Sequence, residues 1–242
     1  MENLRGAKQA SARHDLRTGH LFHMSYDFGY LKTLPFADRK YETVNKITEC
    51  CSFNLAKDGR PVTLVPANEA KDLPLALLEI LHREFNYVIE EGQTYPHYLP
   101  MTYGQFLAYL FEGMAAVLIN GDFNKDDFDK PVEFWDQKYL GHFYIKPNYI
   151  GRCSHVCNAG FIVNHKVRGL GLGKEMGKKY LEWAPKLGYV YSVFNLVFET
   201  NIASKKIWDS LGFEQIGFVK NVAVLKGHDR LIGAYMYGKD LI

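Results

Sequence analysis

The chain has 242 residues, 47% hydrophobic and 23% charged. That is long enough for a full core without disulfide staples, and the 14% aromatic content excludes a chain that stays wholly solvated. Twenty-nine basic and twenty-seven acidic side chains leave a net charge of +2. Arg5, Lys8, Arg13 and Arg17 against Glu2 and Asp15 place that excess in the first twenty residues, and a neutral body argues against a broad nucleic-acid surface. The longest apolar runs, such as Met114–Ile119 and Leu75–Leu78, fall far short of the ~20 residues that span a bilayer.

Residues 1–60 show little periodicity and read as an N-terminal extension, irregular or strand-containing, ahead of a domain over 61–242. The extension lacks the apolar run of a secretory signal, and its two acids argue against a mitochondrial presequence. Pro61–Pro66 is a short β-branched strand. Asp72–Glu90 carries Leu73, Leu77, Leu78, Leu81 and Phe85 at helical spacing, with Pro74 in its first turn and Gly92 as the stop. Thr102–Phe111 is a second helix, with Thr102 as N-cap. Met114–Asn120 is a strand, Gly121–Lys130 a polar loop, and Lys138–Pro147 and Val156–Asn164 further strands. Gly171–Leu187 is a helix with Leu172, Met176, Tyr180 and Trp183 nearly in register. Tyr189–Phe198 is continuously apolar, as a strand covered on both faces is. Ala203–Leu211 is a helix ended by Gly212, and Phe213–Val219 with Ile232–Gly238 closes the sheet. The order predicts a mixed α/β sheet with crossover helices.

The four cysteines are Cys50-Cys51 and the spaced pair Cys153 and Cys157. With no secretion signal they read as reduced thiols. Cys153, His155 and Cys157 would share a face if they alternated along a strand, but no fourth ligand with zinc spacing follows, so no metal is expected.

The sharpest motif is Arg168-Gly169-Leu170-Gly171-Leu172-Gly173, between a strand and a helix. Such a junction makes an anion site, because unpaired N–H groups converge there and the helix dipole favours negative charge. A dinucleotide fingerprint needs its third glycine one residue later, and a Walker loop needs a glycine where Arg168 stands. What remains is an ordinary glycine turn or the Arg-x-x-Gly-x-Gly pyrophosphate loop of acetyl-CoA-dependent N-acetyltransferases. Thirty residues on, the run from Asn201 to Gly212-Phe213 has Asn, a small residue three on, an aromatic seven on, then Gly-Phe. With both elements, the chain from about Pro61 onward resembles the GCN5-related N-acetyltransferase (GNAT) superfamily. The runs Gly141–Tyr149, Arg152–Phe161, Trp183-Ala-Pro, Phe194–Phe198 and Thr200-Asn201 are similar to the fungal azetidine-2-carboxylate acetyltransferases, which confer resistance to proline analogues.

That resemblance implies a GNAT fold with a mostly antiparallel central sheet, and acetyl-CoA as co-substrate. It implies an amino-acid acceptor, azetidine-2-carboxylate as analogue and pyrroline-5-carboxylate or glutamate-5-semialdehyde in the cell, whose removal limits oxidative stress. A cytoplasmic homodimer, with a mitochondrial fraction left open, and no nucleic-acid or membrane partner complete the expectation. Asn158 and Asn195 align with substrate contacts, and Asn201 with a residue needed for acetyl-CoA engagement and turnover. Phe161, Ile162 and Val163, with Arg168, Gly169, Gly171, Leu172 and Gly173, align with the cofactor-binding strand and loop. An amide offers donors and an acceptor without adding charge, and an unpaired amide inside an apolar strand is costly. Where many members place a proton-donating tyrosine, this chain has Trp208, whose indole N–H is no useful acid. The general base is unassigned: His155 and Glu199 are titratable, and solvent-mediated proton removal ranks above either. The competing expectations are a protein or histone acetyltransferase and a non-catalytic acyl-CoA-binding module.

Overall fold

The computed structural model describes residues 45–242; the expectations for residues 1–44 lie outside them. Eight strands form one sheet: β1 (Cys51–Asn54), β2 (Pro61–Ala67), β3 (Met114–Asn120), β4 (Tyr139–Pro147), β5 (Val156–Val163), β6 (Tyr191–Phe198), β7 (Glu214–Ala223) and β8 (Ile232–Asp240). Their spatial order is β1-β2-β3-β4-β5-β6-β8-β7. Every neighbouring pair is antiparallel except β5 and β6. Among the described residues, five α-helices flank the sheet: α1 (Leu75–Glu91), α2 (Tyr103–Leu110), α3 (Val132–Lys138), α4 (Leu172–Trp183) and α5 (Ile202–Ser210). The sheet begins at Cys51, ten residues before Pro61, because Cys51–Asn54 pairs with Pro61–Leu64 as a hairpin.

The mixed α/β expectation holds, and several boundaries move for identifiable reasons. The first long helix starts at Leu75, not Asp72, and Pro74 stands outside it as N-cap. Leu73 precedes a proline and is held extended (φ −123°, ψ 150°). Asp72 instead accepts from the backbone N–H groups of Asn68 and Glu69. Gly92 ends the helix with φ +66°, the left-handed conformation that glycine adopts without a Cβ penalty. Thr102 caps α2 in a reciprocal box with Gln105. The helix expected over Gly171–Leu187 stops at Trp183 and continues as a 3₁₀ turn over Pro185–Leu187. Pro185 has no N–H to donate back along the helix, and its ring crowds the preceding turn. Helix α3 had no counterpart in the sequence reading, and β1 falls within the extension read as irregular or strand-containing, where no strand was given bounds; α3 buries Trp135 against the core.

Two core layers lie on opposite faces of the sheet. One joins Leu172, Met176, Tyr180 and Trp183 of α4 to Phe143, Ile145, Cys157 and Phe194. The other joins Leu77, Leu81 and Phe85 of α1 and Phe106 of α2 to Val117, Ile119, Tyr144 and Ile162. Strand period two makes this division, since alternate residues of β4 and β5 face opposite layers.

Candidate active site

Strands β5 and β6 are hydrogen-bonded partners at Val156–Tyr191 and Cys157–Ser192 and then diverge. On the far side of β6 the register against β8 shifts between Phe194 and Val197. A bulge there bends the strand and re-aims its side chains, so Asn195 faces the opening between the two strands. The result is a cleft of about 410 Å³ lined by Asn158, Phe161, Asn195, Asn201 and Trp208 among others.

The backbone direction along β5 follows from its end bonds. Asn164 donates its N–H to Leu140 of β4, and Val190 donates to His155 on the β6 side. Alternation along a strand then points the polar backbone groups of Ala159, Phe161 and Val163 towards the gap left by β6. Those of Ile162 point towards β4, and its side chain is buried in the α1–α2 layer. Of the three strand positions expected at the cofactor, Phe161 and Val163 offer N–H groups to the gap and Ile162 does not. Such fixed dipoles are suited to a developing oxyanion.

Beyond β5, Gly169 and Gly171 have φ +85° and +78°, and Gly171 is the N-cap of α4. A Cβ at either would meet nothing within 4 Å, so the turn faces open space. Among the described residues, no protein acceptor is recorded for the N–H groups of Gly169–Gly173. Positive φ, open space and free donors at a helix N-terminus fit a pyrophosphate. Acetyl-CoA, the co-substrate the sequence implies, would place its pyrophosphate there and would supply the acetyl group. The Arg168 side chain does not point into this cradle. Its guanidinium makes a two-pronged pair with Glu91 at the end of α1 (2.7 and 2.6 Å). Beside it, the buried Glu84 carboxylate accepts from the backbone N–H of His165 (3.3 Å) and bonds its Nδ1 (2.8 Å). Lys57 donates to the carbonyl of Gly169 (2.7 Å). The charged side chains around the loop therefore set its place, and its backbone is left for the ligand.

Asn158 and Asn195 meet in the cleft through a third amide, Asn148, just past the end of β4. Its Oδ1 accepts from Nδ2 of Asn158 (3.0 Å) and of Asn195 (2.5 Å), and its own Nδ2 donates back to Asn195 (3.2 Å). Asn148 was not singled out in the sequence; its position four residues after Tyr144 on the same alternating face was the available signal. Asn201 caps α5, its Oδ1 accepting from the Ser204 N–H at 3.1 Å, which leaves the Nδ2 donors for the cleft.

Trp208 is nearly buried and packs on Phe194 (ring centroids 4.4 Å), Phe161 (5.1 Å) and Phe213 (5.3 Å). It forms an aromatic wall. The tyrosine hydroxyls of the cleft lie on the other side, where Tyr144 is bonded to Tyr95 (3.2 Å) and Tyr109 (2.7 Å). Gly160 permits this approach: a Cβ there would sit 2.0 Å from the Tyr95 oxygen and 2.4 Å from that of Tyr144. Burial pushes the Tyr95 and Tyr144 hydroxyls well above their usual range, so they remain protonated donors and do not serve as bases. Neither His155 nor Glu199 lines the cleft. Glu199 is held by the Gly233 N–H and by Arg230, which keep its carboxyl below the usual range. Cys153 and Cys157 do not alternate along one strand with His155. Cys153 sits exposed in a 3₁₀ turn, and Cys157 is buried with its Sγ on the Tyr180 hydroxyl.

Residues 76–213 match the model of the acetyltransferase (GNAT) family. N-acetyltransferase aca1 of Schizosaccharomyces pombe is 41% identical over 164 residues, covering 66% of this chain and 78% of that protein. Protein SPT10 of Saccharomyces cerevisiae is 31% identical over 223 residues, covering 77% of this chain but 35% of that protein. Among solved structures, a GCN5-related N-acetyltransferase from Kribbella flavida superposes with a TM-score of 0.61 at 24% identity, over 74% of this chain and 97% of that one. A GNAT-superfamily phosphinothricin acetyltransferase from Sinorhizobium meliloti, in complex with acetyl-CoA, gives 0.57 at 14% identity, over 74% and 88%. The splayed strands, the glycine loop at the start of α4 and these relatives make one finding: the chain belongs to the GNAT family of acetyltransferases.

Proposed function

We propose that this acetyltransferase moves the acetyl group of acetyl-CoA to the ring nitrogen of a small cyclic amino acid, with azetidine-2-carboxylate as a substrate. The observation that carries the reading is the amide trio of Asn148, Asn158 and Asn195 at the mouth of the β5–β6 gap. These groups can hold a carboxylate and an amine without adding charge, and the cleft of about 410 Å³ is of a size for a small acceptor beside a thioester. The glycine loop holds the pyrophosphate, Phe161 and Val163 receive the thioester oxygen, and catalysis comes mainly from placing the two substrates together. Asn201 contributes from the α5 side. Proton removal runs through solvent.

The 41% identity to aca1 over 164 residues supports an N-acetyltransferase of this kind. By resemblance, the cellular acceptor is pyrroline-5-carboxylate or its open form, in the cytoplasm, and its acetylation limits oxidative stress. A homodimer is also part of this reading. Edge strand β7 exposes Ile216, Phe218, Val219 and Val222, and such an edge is normally covered or blunted. No helix among the described residues is long and apolar enough to cross a membrane.

The test is thiol release from acetyl-CoA against azetidine-2-carboxylate, proline, pyrroline-5-carboxylate and a lysine peptide. Turnover with the cyclic acids and none with the peptide is expected. Turnover of the peptide alone would replace this reading with protein acetylation, and CoA binding with no turnover would leave an acyl-CoA-binding module.

A further inference from the structure

Among the described residues, one cation lines the cleft. Lys146 lies on β4 directly opposite Asn158 of β5, so the two side chains share a face with their Cβ atoms about 5 Å apart. Tyr144 and Gly160 are the next opposed pair along the same face. The Lys146 side chain is 16% exposed. Its Nζ stands 3.9 Å from the ring centroid of Tyr109 and 5.4 Å from that of Tyr144. It donates to Glu112 at 2.7 Å, and Glu112 is itself at the solvent edge, 41% exposed. Among the described residues, Lys146 and Glu112 are the only charged side chains in the cleft lining.

A lysine that served only to pin β4 to the end of α2 could make this pair on the outer surface. Here the ammonium is tucked against the Tyr109 and Tyr144 rings in the cleft wall, and the lysine's backbone position is opposite Asn158. An ammonium has three donors. One goes to Glu112, and no other acceptor among the described residues is recorded for it. A positive group with spare donors, in a wall that excludes much of the water, is an anion site whose attraction is weakly screened.

We infer that Lys146 receives the carboxylate of the acceptor, beside Asn148 and Asn158, and so makes the enzyme selective for amines that carry an acid group next to the nitrogen. The inference rests on the amino-acid reading above and assigns its specificity to one residue. Glu112 balances the ammonium until the acceptor's carboxylate arrives. In a cyclic amino acid one carbon separates the acid from the amine. Holding the acid at Lys146 therefore places the nitrogen a short step away, towards the β5–β6 gap where the acetyl group is delivered.

The experiment compares kcat/KM, at saturating acetyl-CoA, within two pairs of acceptors: azetidine-2-carboxylate against azetidine, and proline against pyrrolidine. Each ratio is taken on one protein, so any loss of folded enzyme cancels. The wild-type ratio should favour the acids. In Lys146→Gln it should fall by roughly tenfold to a hundredfold, the worth of a charge-assisted hydrogen bond. Lys146→Arg should retain most of it, and Glu112→Gln should keep or raise it. A wild-type ratio near one, an unchanged ratio in Lys146→Gln, or a ratio lost equally in Glu112→Gln would overturn the assignment while the amino-acid reading stood. Wild-type enzyme that acetylates no member of either pair would overturn that reading and this inference with it.

Discussion

Asn201 serves two ends with one amide. Its oxygen caps α5 and its nitrogen is free for the cleft. The two uses can be separated. Asn201→Asp keeps an acceptor for the Ser204 N–H and removes the donor, so the melting temperature should hold while acetyl transfer falls. Asn201→Ala should lose activity and also about 1 kcal/mol of stability with the cap. Equal activity in wild type and Asn201→Asp would leave this residue a cap and nothing more. Trp208 calls for a similar split. Packed among Phe161, Phe194 and Phe213, it contributes a surface, and a proton donor is not needed from it. Trp208→Phe should keep most of kcat, whereas Trp208→Ala should cost roughly 3–5 kcal/mol through the cavity it leaves. Steady-state rates beside thermal melts decide the point; a Phe variant as inactive as Ala at wild-type stability would put the indole N–H into the chemistry.

At the scale of elements, the pyrophosphate loop is held by α1. Glu91 pairs with Arg168, and Glu84 takes both the backbone and the ring of His165. The loop's own backbone supplies the ligand donors. Gly171→Val forces a branched residue to φ +78°, which costs about 1–2 kcal/mol in the left-handed region. It also sets a side chain where the phosphates approach. The strain lowers stability, while the blocked approach should raise the acetyl-CoA KM by about tenfold or more, equivalent to about 1.4 kcal/mol of binding, with the far-UV spectrum unchanged; an unaltered KM would remove the loop from the cofactor site. Glu84→Ala leaves two donors of His165 unanswered. A loss of about 1–3 kcal/mol in urea melts, with a raised acetyl-CoA KM, is expected. Glu84→Gln, which keeps an oxygen for the backbone N–H, should lose less. A Glu84→Ala protein with weaker folding and an untouched KM would show that α1 does not position the loop.

At the scale of the whole molecule, the sheet is sealed between its two core layers, and a histidine is among the titratable groups caught inside. His142 of β4 is fully buried with Nδ1 on the Tyr139 hydroxyl at 2.7 Å. Burial pushes its pKa down to about 3, against about 6.5 in an unfolded chain. A depressed value means the unfolded chain takes the proton first. The stability that goes with the neutral ring is fully present above about pH 6.5 and is lost as pH falls towards 3, at about 1.4 kcal/mol per pH unit. His142→Gln should flatten the decline of unfolding free energy between pH 6 and 4 by close to one proton. Parallel slopes for the two proteins would place the acid sensitivity elsewhere.

Much of this was legible in the chain itself, for physical reasons. The periodicity of Leu77, Leu81, Phe85 and of Leu172, Met176, Tyr180 and Trp183 is local, so both helices and their buried faces follow from it. Arg168–Gly173 carries its own conformation, because positive φ and a helix start are properties of a few adjacent residues. Asn158, Asn195 and Asn201 stood out through the family resemblance, and the first two also because an amide in an apolar strand needs a partner. The short helix α3 and strand β1 did not stand out; seven and four residues are too few for a period to show without the core or the hairpin partner that holds them. Which groups meet was decided by the tertiary structure alone. Asn148 joins the two other amides only because β4 lies beside β5 and the bulge in β6 turns Asn195 inward. Arg168 faces Glu91 because α1 ends beside the loop, a pairing across 77 positions. Lys146 reads in the sequence as one lysine among many, and only the register of β4 on β5 sets its ammonium at the end of the cleft. Local conformation is written in neighbouring residues, but a site is written in distances between strands, which a one-dimensional pattern does not contain.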